Sequence, residues 1–172
     1  MAAVYKREQR DQKVYVLLGD GEINEGQIWE AAMSAADQSL DNLIAVLDRN
    51  KIQQSNYCDT ILHTEPLDAK FRAFGWNVNR INGHDLEAVA KAFTQARQNQ
   101  GKPFIIIADT EKGKGVSFIE GKLDKHGKPL TVEEKAKAFE ELAVNEAEVD
   151  VQNFIQSKSD FGSASQDHSL IA

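Results

Sequence analysis

Short apolar runs alternate with segments of helical period along most of this chain. Residues 14–18 form a first run and residues 43–47 a second. Between them, residues 25–39 carry Ile28, Trp29, Ala32, Ala35 and Ala36 close to helical spacing. This predicts strand, helix, strand: a βαβ unit whose crossover should be right-handed. The alternation continues with a short helix over 67–74, ended by Gly75, and a third strand of alternating character over 76–81. A turn follows at 82–85, with Asp85 as the N-cap of a helix over 86–98 that faces inward through Leu86, Val89 and Phe93. Residues 104–108 make the fourth and most apolar strand. Asn24 with Gln27, and Thr131 with Glu134, have the spacing of capping boxes, the second opening a helix to about residue 147. Residues 4–12 are polar and charged, so the chain enters its first strand almost at once, and residues 109–130 read as irregular. The fold class expected is α/β, a parallel sheet with crossover helices. Residues 1–147 would form one domain and residues 148–172 a polar, mobile tail.

Composition narrows the field. A chain of 172 residues with 41% hydrophobic and 27% charged positions has enough material for one packed core. Its formal net charge of −7 argues against a general nucleic-acid or acidic-membrane binder. The single cysteine, Cys58, excludes an internal disulfide and cannot make a Cys-rich zinc site. No apolar stretch reaches membrane-spanning length and no signal-peptide core stands at the N-terminus, so the cytoplasm is the default location.

The candidate chemistry lies where the first two strands end. Gly19-Asp20-Gly21 follows the first apolar run and Asp48-Arg49-Asn50 follows the second. In open α/β sheets ligands bind beyond the carboxyl ends of the strands. If these strands are neighbours, roughly 4.8 Å apart, Asp20 and Asn50 can share one hard cation. A carboxylate, an amide oxygen and a phosphate oxygen suit Mg²⁺. Gly-Asp-Gly by itself is also a common turn with a capping Asp; the pairing with Asn50 is what favours a metal-diphosphate site. The dinucleotide fingerprint is excluded because Asn24 stands where its third glycine would be, and the segment Glu111-Lys112-Gly113-Lys114-Gly115 lacks the spacing of a nucleotide phosphate loop. Two lysines and two glycines after a strand still suit an anion, with a solvated loop as the equal alternative. His126, in the same glycine-rich stretch, reads as a proton carrier beside phosphate or, more simply, as a surface histidine. His63, His84 and His168 carry no assignment.

Read together, these residues resemble the thiamine-diphosphate-binding domain of transketolase, over roughly residues 3–142. The resemblance runs through Leu18-Gly19-Asp20-Gly21-Glu22, Glu25-Gly26-Gln27, Trp29-Glu30-Ala31, Asp48-x-Asn50-x-Ile52, Ala73-Phe74-Gly75-Trp76 and Gly83-His84-Asp85. Lys112-Gly113-Lys114-Gly115 and His126-Gly127-Lys128 complete it. The resemblance implies that Asp20, Asn50 and the carbonyl of Ile52 bind Mg²⁺ (or Ca²⁺ or Mn²⁺), which holds the diphosphate of thiamine diphosphate. It implies that Gly21, Gln54 and Lys112 contact the cofactor, that His126 contacts diphosphate and helps move protons at the substrate, and that Glu25 lies near a dimer interface. The implied reaction moves a two-carbon ketol unit from a ketose phosphate to an aldose phosphate.

The resemblance also implies that this chain begins where the family's domain is already under way. The upstream histidine segments and the pyrimidine-binding domain would then come from a partner chain or domain, in an oligomer. Lys125 stands where many relatives have Trp. Two other readings stay open at this point: a component of another thiamine-diphosphate enzyme such as a 2-oxo-acid dehydrogenase, and a non-catalytic remnant. An exposed strand edge would make the isolated chain marginal or oligomeric.

Overall fold

The computed structural model describes residues 1–54, 56–125 and 127–144. They fall into two units, 1–129 and from 130 onward, each described by itself. The first unit is built on four strands: β1 (Val14–Gly19), β2 (Leu43–Arg49), β3 (Asn77–Asn82) and β4 (Phe104–Asp109). All pair in parallel, in the order β1-β2-β4-β3. The α/β class expected from the alternating pattern is therefore met. Composition explains who sits where. Strand β4 (Phe-Ile-Ile-Ile-Ala-Asp) is buried over its first five residues and lies inside the sheet, whereas β3, with Asn and Arg between its apolar residues, lies at an edge. A strand covered on both faces needs a continuous apolar run, and an edge strand does not.

Helices cover both faces. On one, α2 (Gly26–Asp37) and α4 (Leu67–Ala73) pack Ala32, Ala35, Leu67 and Phe71 against Leu18, Leu47, Ile105 and Ile107. Phe71 stands between two indoles, with ring centroids 5.2 Å from Trp29 and 5.7 Å from Trp76. Each indole N–H is satisfied by a helix-region carbonyl, the buried Trp76 donating to Ala32 at 2.9 Å and the half-buried Trp29 to Ile23 at 2.8 Å. On the other face, α5 (Leu86–Gln98) sets Ala92 and Ala96 against Ile44, Phe104 and Ile106. Small alanines let the helix approach the sheet closely.

Several local expectations hold. Gly75 ends α4 with φ +95°, a conformation that favours glycine. Asp85 caps α5, its carboxylate accepting from the N–H groups of Glu87 and Ala88 at 3.0 Å. In the second unit, Thr131 and Glu134 form the reciprocal capping box of α6 (Val132–Glu141). Helix α6 ends at Glu141, earlier than the limit near 147, and residues 145–172, including the tail, lie outside the described residues.

Others are corrected. Residues 2–7 form a helix, α1 (Ala2–Arg7), held against the amino ends of the strands where Asn42 donates to the Ala2 carbonyl at 2.9 Å and Lys6 pairs with Asp41 at 2.8 Å. Leu86 is not a core residue but 83% exposed; of the expected inward residues Val89 is half-buried and Phe93 packs against the core beside Ala92 and Ala96. Asn24 does not cap α2: a 3₁₀ turn over Glu22–Asn24 intervenes, Glu25 occupies the cap position, and the Asn24 side chain is used elsewhere. A short helix, α3 (Cys58–Ile61), fills part of the β2–β3 connection.

Candidate functional site

The parallel register of β1 and β2 sets Gly19 opposite Asp48, so the two polar clusters emerge side by side at the carboxyl ends of adjacent strands. They line one open pocket of about 350 Å³, whose wall includes Gly19, Asp20, Gly21, Asn50, Ile52 and Gln54. Glu25 borders the same pocket. The expected positions Asp20, Gly21, Asn50, Ile52 and Gln54 thus share one place with Glu25. Lys112 is not among the lining residues, and His126 lies outside the described residues.

Asp20 is the buried charge of this pocket, 4% exposed. Burial pushes its carboxyl above the usual carboxylate range and the nearby Asp48 adds to that, against the pull of the Lys51 N–H, the Cys58 thiol and the Gly21 N–H. The Lys51 N–H donates to Asp20 Oδ2 at 2.5 Å. Lys51 itself has φ +68°, and its carbonyl accepts from the Cys58 N–H at 2.9 Å. Asn50 closes a tight side-chain turn by accepting from the Ile52 N–H at 3.0 Å, which fixes the amide oxygen at the end of β2. Cys58 is buried and its thiol is pushed up to about 12, chiefly by burial and then by the Asp20 charge, so it is no nucleophile near neutral pH.

The turn that carries Asp20 is glycine-dependent. A Cβ on Gly21 would stand 2.6 Å from Gln53 Cβ, so only glycine lets this turn pack so close to residue 53. Beside it Asn24 Nδ2 donates to Gln53 Oε1 at 3.2 Å, leaving Asn24 Oδ1 and Gln53 Nε2 buried without a partner. Unpartnered buried polar atoms beside a buried carboxylate mark a site that prefers a polar guest. The oxygens of Asp20 and Asn50 and the backbone carbonyl of Ile52 are hard donors. Among the described residues no three His, Cys, Asp or Glu side chains are grouped to hold a metal alone, so a cation here needs further oxygens from a bound phosphate or water.

Beyond β4 the segment over residues 111–121 folds on itself. Gly121 N–H donates to the Lys112 carbonyl at 2.8 Å, and Lys114 pairs with Glu120 at 2.7 Å. The N–H of Gly115 donates to the Glu120 carboxylate at 3.0 Å, and those of Lys114 and Val116 donate to carbonyls within the segment. These three N–H groups therefore serve the loop itself. Gly113, at φ +72°, is needed because a Cβ would meet the Ile119 carbonyl at 2.9 Å. Lys112 keeps no ion-pair partner among the described residues.

Sequence reasoning missed a cluster of four charges across the strand ends. Arg49 pairs with Glu65 at 2.6 Å and Asp109 at 3.2 Å, and Arg80 pairs with Asp109 at 2.7 Å and Glu65 at 3.3 Å. Arg49 belongs to the polar cluster that ends β2, but nothing local marks Glu65 or Arg80 as its companions. A larger hollow, about 650 Å³ and bordered by Lys6, Lys13, Asp41 and Gly101, lies at the opposite, amino ends of the strands.

A model of the family described as "Transketolase, thiamine diphosphate binding domain" matches residues 1–168. The chain belongs to the transketolase family. The match extends beyond residues 3–142, where the motifs carry the likeness. The chain is 47% identical over 142 residues to the 6-deoxy-6-sulfo-D-fructose transketolase subunit of Clostridium sp., covering 83% of this chain and 52% of that protein. It is 44% identical to an apulose-4-phosphate transketolase subunit of Actinobacillus succinogenes, covering 83% of this chain and 51% of the relative. The chain thus spans about half the length of the curated relatives it matches. Among solved structures, the transketolase of Campylobacter jejuni superposes with TM-score 0.77 at 37% identity, over 84% of this chain and 23% of that one. Among the described residues no helix is long and apolar enough to cross a membrane.

Proposed function

We propose that this chain supplies the diphosphate-and-metal half of a transketolase-type active site. Asp20, Asn50 and the Ile52 carbonyl hold Mg²⁺, Gly21 N–H and Gln54 contact the diphosphate, and Lys112 and His126 contact the cofactor. The observation that carries this reading is the meeting of Asp20 and Asn50 in one pocket, beside a Gly21 that has no room for a side chain. Burial raises the Asp20 carboxyl, and a bound divalent cation relieves that by supplying the positive charge the pocket lacks.

When bound, thiamine diphosphate supplies the carbanion-stabilising chemistry of C–C cleavage and two-carbon transfer. The chain's own residues anchor it. Asp20, held by the Lys51 N–H, and Asn50, held by its turn to Ile52, present oxygens in fixed positions to the metal. Gly21 lets backbone come close to the phosphate oxygens. His126 moves protons at the substrate. Two of the similar proteins are named as subunits, which supports a partner chain carrying the pyrimidine-binding half, in an oligomer of the two. Sugar phosphates as substrates and a cytoplasmic location belong to the same reading, and so does a domain of residues 1–147 followed by a polar tail.

Calorimetric titration of the folded chain with thiamine diphosphate, with and without Mg²⁺, tests this. Mg²⁺-dependent binding that disappears in Asp20→Ala is expected. A folded chain that binds none, alone and with the partner, would overturn it.

A further inference from the structure

The turn after β3 reaches across to the chain leaving β4. His84 Nε2 accepts from the backbone N–H of Glu111 at 2.7 Å. An imidazole nitrogen accepts only through a free lone pair, so this bond requires His84 neutral with its proton on Nδ1. One residue earlier, the Gly83 N–H donates to the Asp109 carbonyl at 2.8 Å. A Cβ on Gly83 would stand 2.4 Å from Thr110 Cγ2 and 3.2 Å from the Asp109 carbonyl oxygen. Glycine is what allows the turn to lie this close. The turn is itself anchored, because Asp85 caps α5 and Asn82 Oδ1 accepts from the His84 N–H at 3.0 Å.

The same short stretch is tied on its other side to the end of β2. Thr110 N–H donates to the Arg49 carbonyl at 3.1 Å, and its hydroxyl donates to the Asp48 carboxylate. Residues 109–111 are thus gripped between the β2 end that carries Asn50 and the β3 turn that carries His84. Beyond them the segment is internally bonded from Lys112 to Gly121, so its placement is set where it joins the sheet.

We infer that His84 is a positioning residue: through the Glu111 N–H it fixes where the loop bearing Lys112 stands relative to the Asp20–Asn50 pocket. This rests on the reading of that pocket as the diphosphate site for its functional consequence, though not for the strap itself.

The test uses the full ¹⁵N-labelled chain, with its partner wherever cofactor binding needs it, and two variants. Gln Oε1 reaches about as far as His Nε2, so His84→Gln keeps an acceptor that His84→Ala removes. The expected result is an Nδ1-protonated imidazole by NMR, with a Glu111 amide whose exchange protection survives in His84→Gln and falls at least about tenfold in His84→Ala. Thiamine diphosphate affinity should fall about 3–10-fold in His84→Ala, the worth of one hydrogen bond, and recover in His84→Gln. An Nε2-protonated imidazole, or unchanged Glu111 protection in a folded His84→Ala, overturns the strap. Lost protection with unchanged affinity overturns the positioning role. If the wild-type chain binds no cofactor, the diphosphate reading fails, and the tautomer and exchange results decide the strap by themselves.

Discussion

The backbone N–H of Lys51, just past β2, donates at 2.5 Å to the carboxylate of Asp20, just past β1. A buried acid is thereby held at the junction of two strands by a neighbour 31 residues away. The bond stitches the pocket together whether or not the acid is ionised, while the charge serves only what binds there. Asp20→Asn keeps an acceptor for Lys51 and removes a charge that burial disfavours. Its melting temperature in the absence of ligand should equal or exceed that of the wild type, with no gain on adding Mg²⁺ and thiamine diphosphate. Asp20→Ala should lose about 1–3 kcal/mol, because the Lys51 N–H loses its partner. Thermal melts of the three proteins, with and without ligands, check this; equal ligand-induced shifts in wild type and Asp20→Asn count against the site.

Two glycines next to the same pocket should respond in opposite ways. Gly21→Ala drives a Cβ to 2.6 Å from Gln53 Cβ and should cost about 1–3 kcal/mol by overpacking, with weakened cofactor binding. Gly26→Ala, at the start of α2, meets nothing within 4 Å and should be neutral or stabilising by up to about 1 kcal/mol. Urea denaturation of the pair distinguishes a packing requirement from a general intolerance of this turn.

Acid should loosen the strand-end charge cluster. The Arg80 guanidinium beside Asp109 holds that carboxyl below the usual carboxylate range; burial opposes the effect at Glu65, but the Leu67 N–H and Arg80 still leave it lowered. A carboxyl whose folded value lies below its unfolded one adds stability that is complete above the unfolded value, roughly pH 4, and lost as pH falls through the folded value. Asp20, shifted upward, works in the opposite sense: its cost is present at neutral pH and fades on acidification. Asp109 and Arg80 are about a third exposed, so solvent screening limits their pairing to about 1 kcal/mol. Melting temperature should therefore hold from pH 7 to about 5 and fall below about 4, with a shallower fall in Asp109→Asn. A parallel profile for that variant would remove the cluster as the cause.

Phe71 is the packing residue most worth testing. It is 1% exposed and lies between Trp29 and Trp76. Phe71→Ala should cost about 3–5 kcal/mol and change the tryptophan fluorescence of the native state. A loss under about 1 kcal/mol would mean that the aromatic group can collapse into the space.

Much of this protein was written locally. The apolar run at 104–108 and the alternating one at 76–81 announce strands, though which lies inside the sheet and which at its edge came only with the strand order. Asp85 and Thr131 announce helix starts, because their side chains compete for backbone N–H groups only a few residues away. Asp20 and Asn50 were legible as a pair because strand ends in a βαβ unit have a limited set of places to go. The face of α5 was legible through Phe93, which packs beside Ala92 and Ala96, but not at its first residue: Leu86 is apolar yet exposed, because the first turn of the helix extends past the sheet residues that Ala92 and Ala96 cover.

Sequence by itself determined the four strands, the helices α2, α4, α5 and α6, the caps at Asp85 and Thr131 and the residue types available at the strand ends, since all of these depend on interactions within one or two turns of the chain. Tertiary structure decided the strand order, which inserts β4 between β2 and β3, and with it every contact that order creates. Arg49 meets Asp109 across 60 residues, His84 meets Glu111 across 27 and Asn24 meets Gln53 across 29. None has a local signature, because pairing at such separations is set by which strands lie side by side, and that is chosen by the packing of the whole sheet.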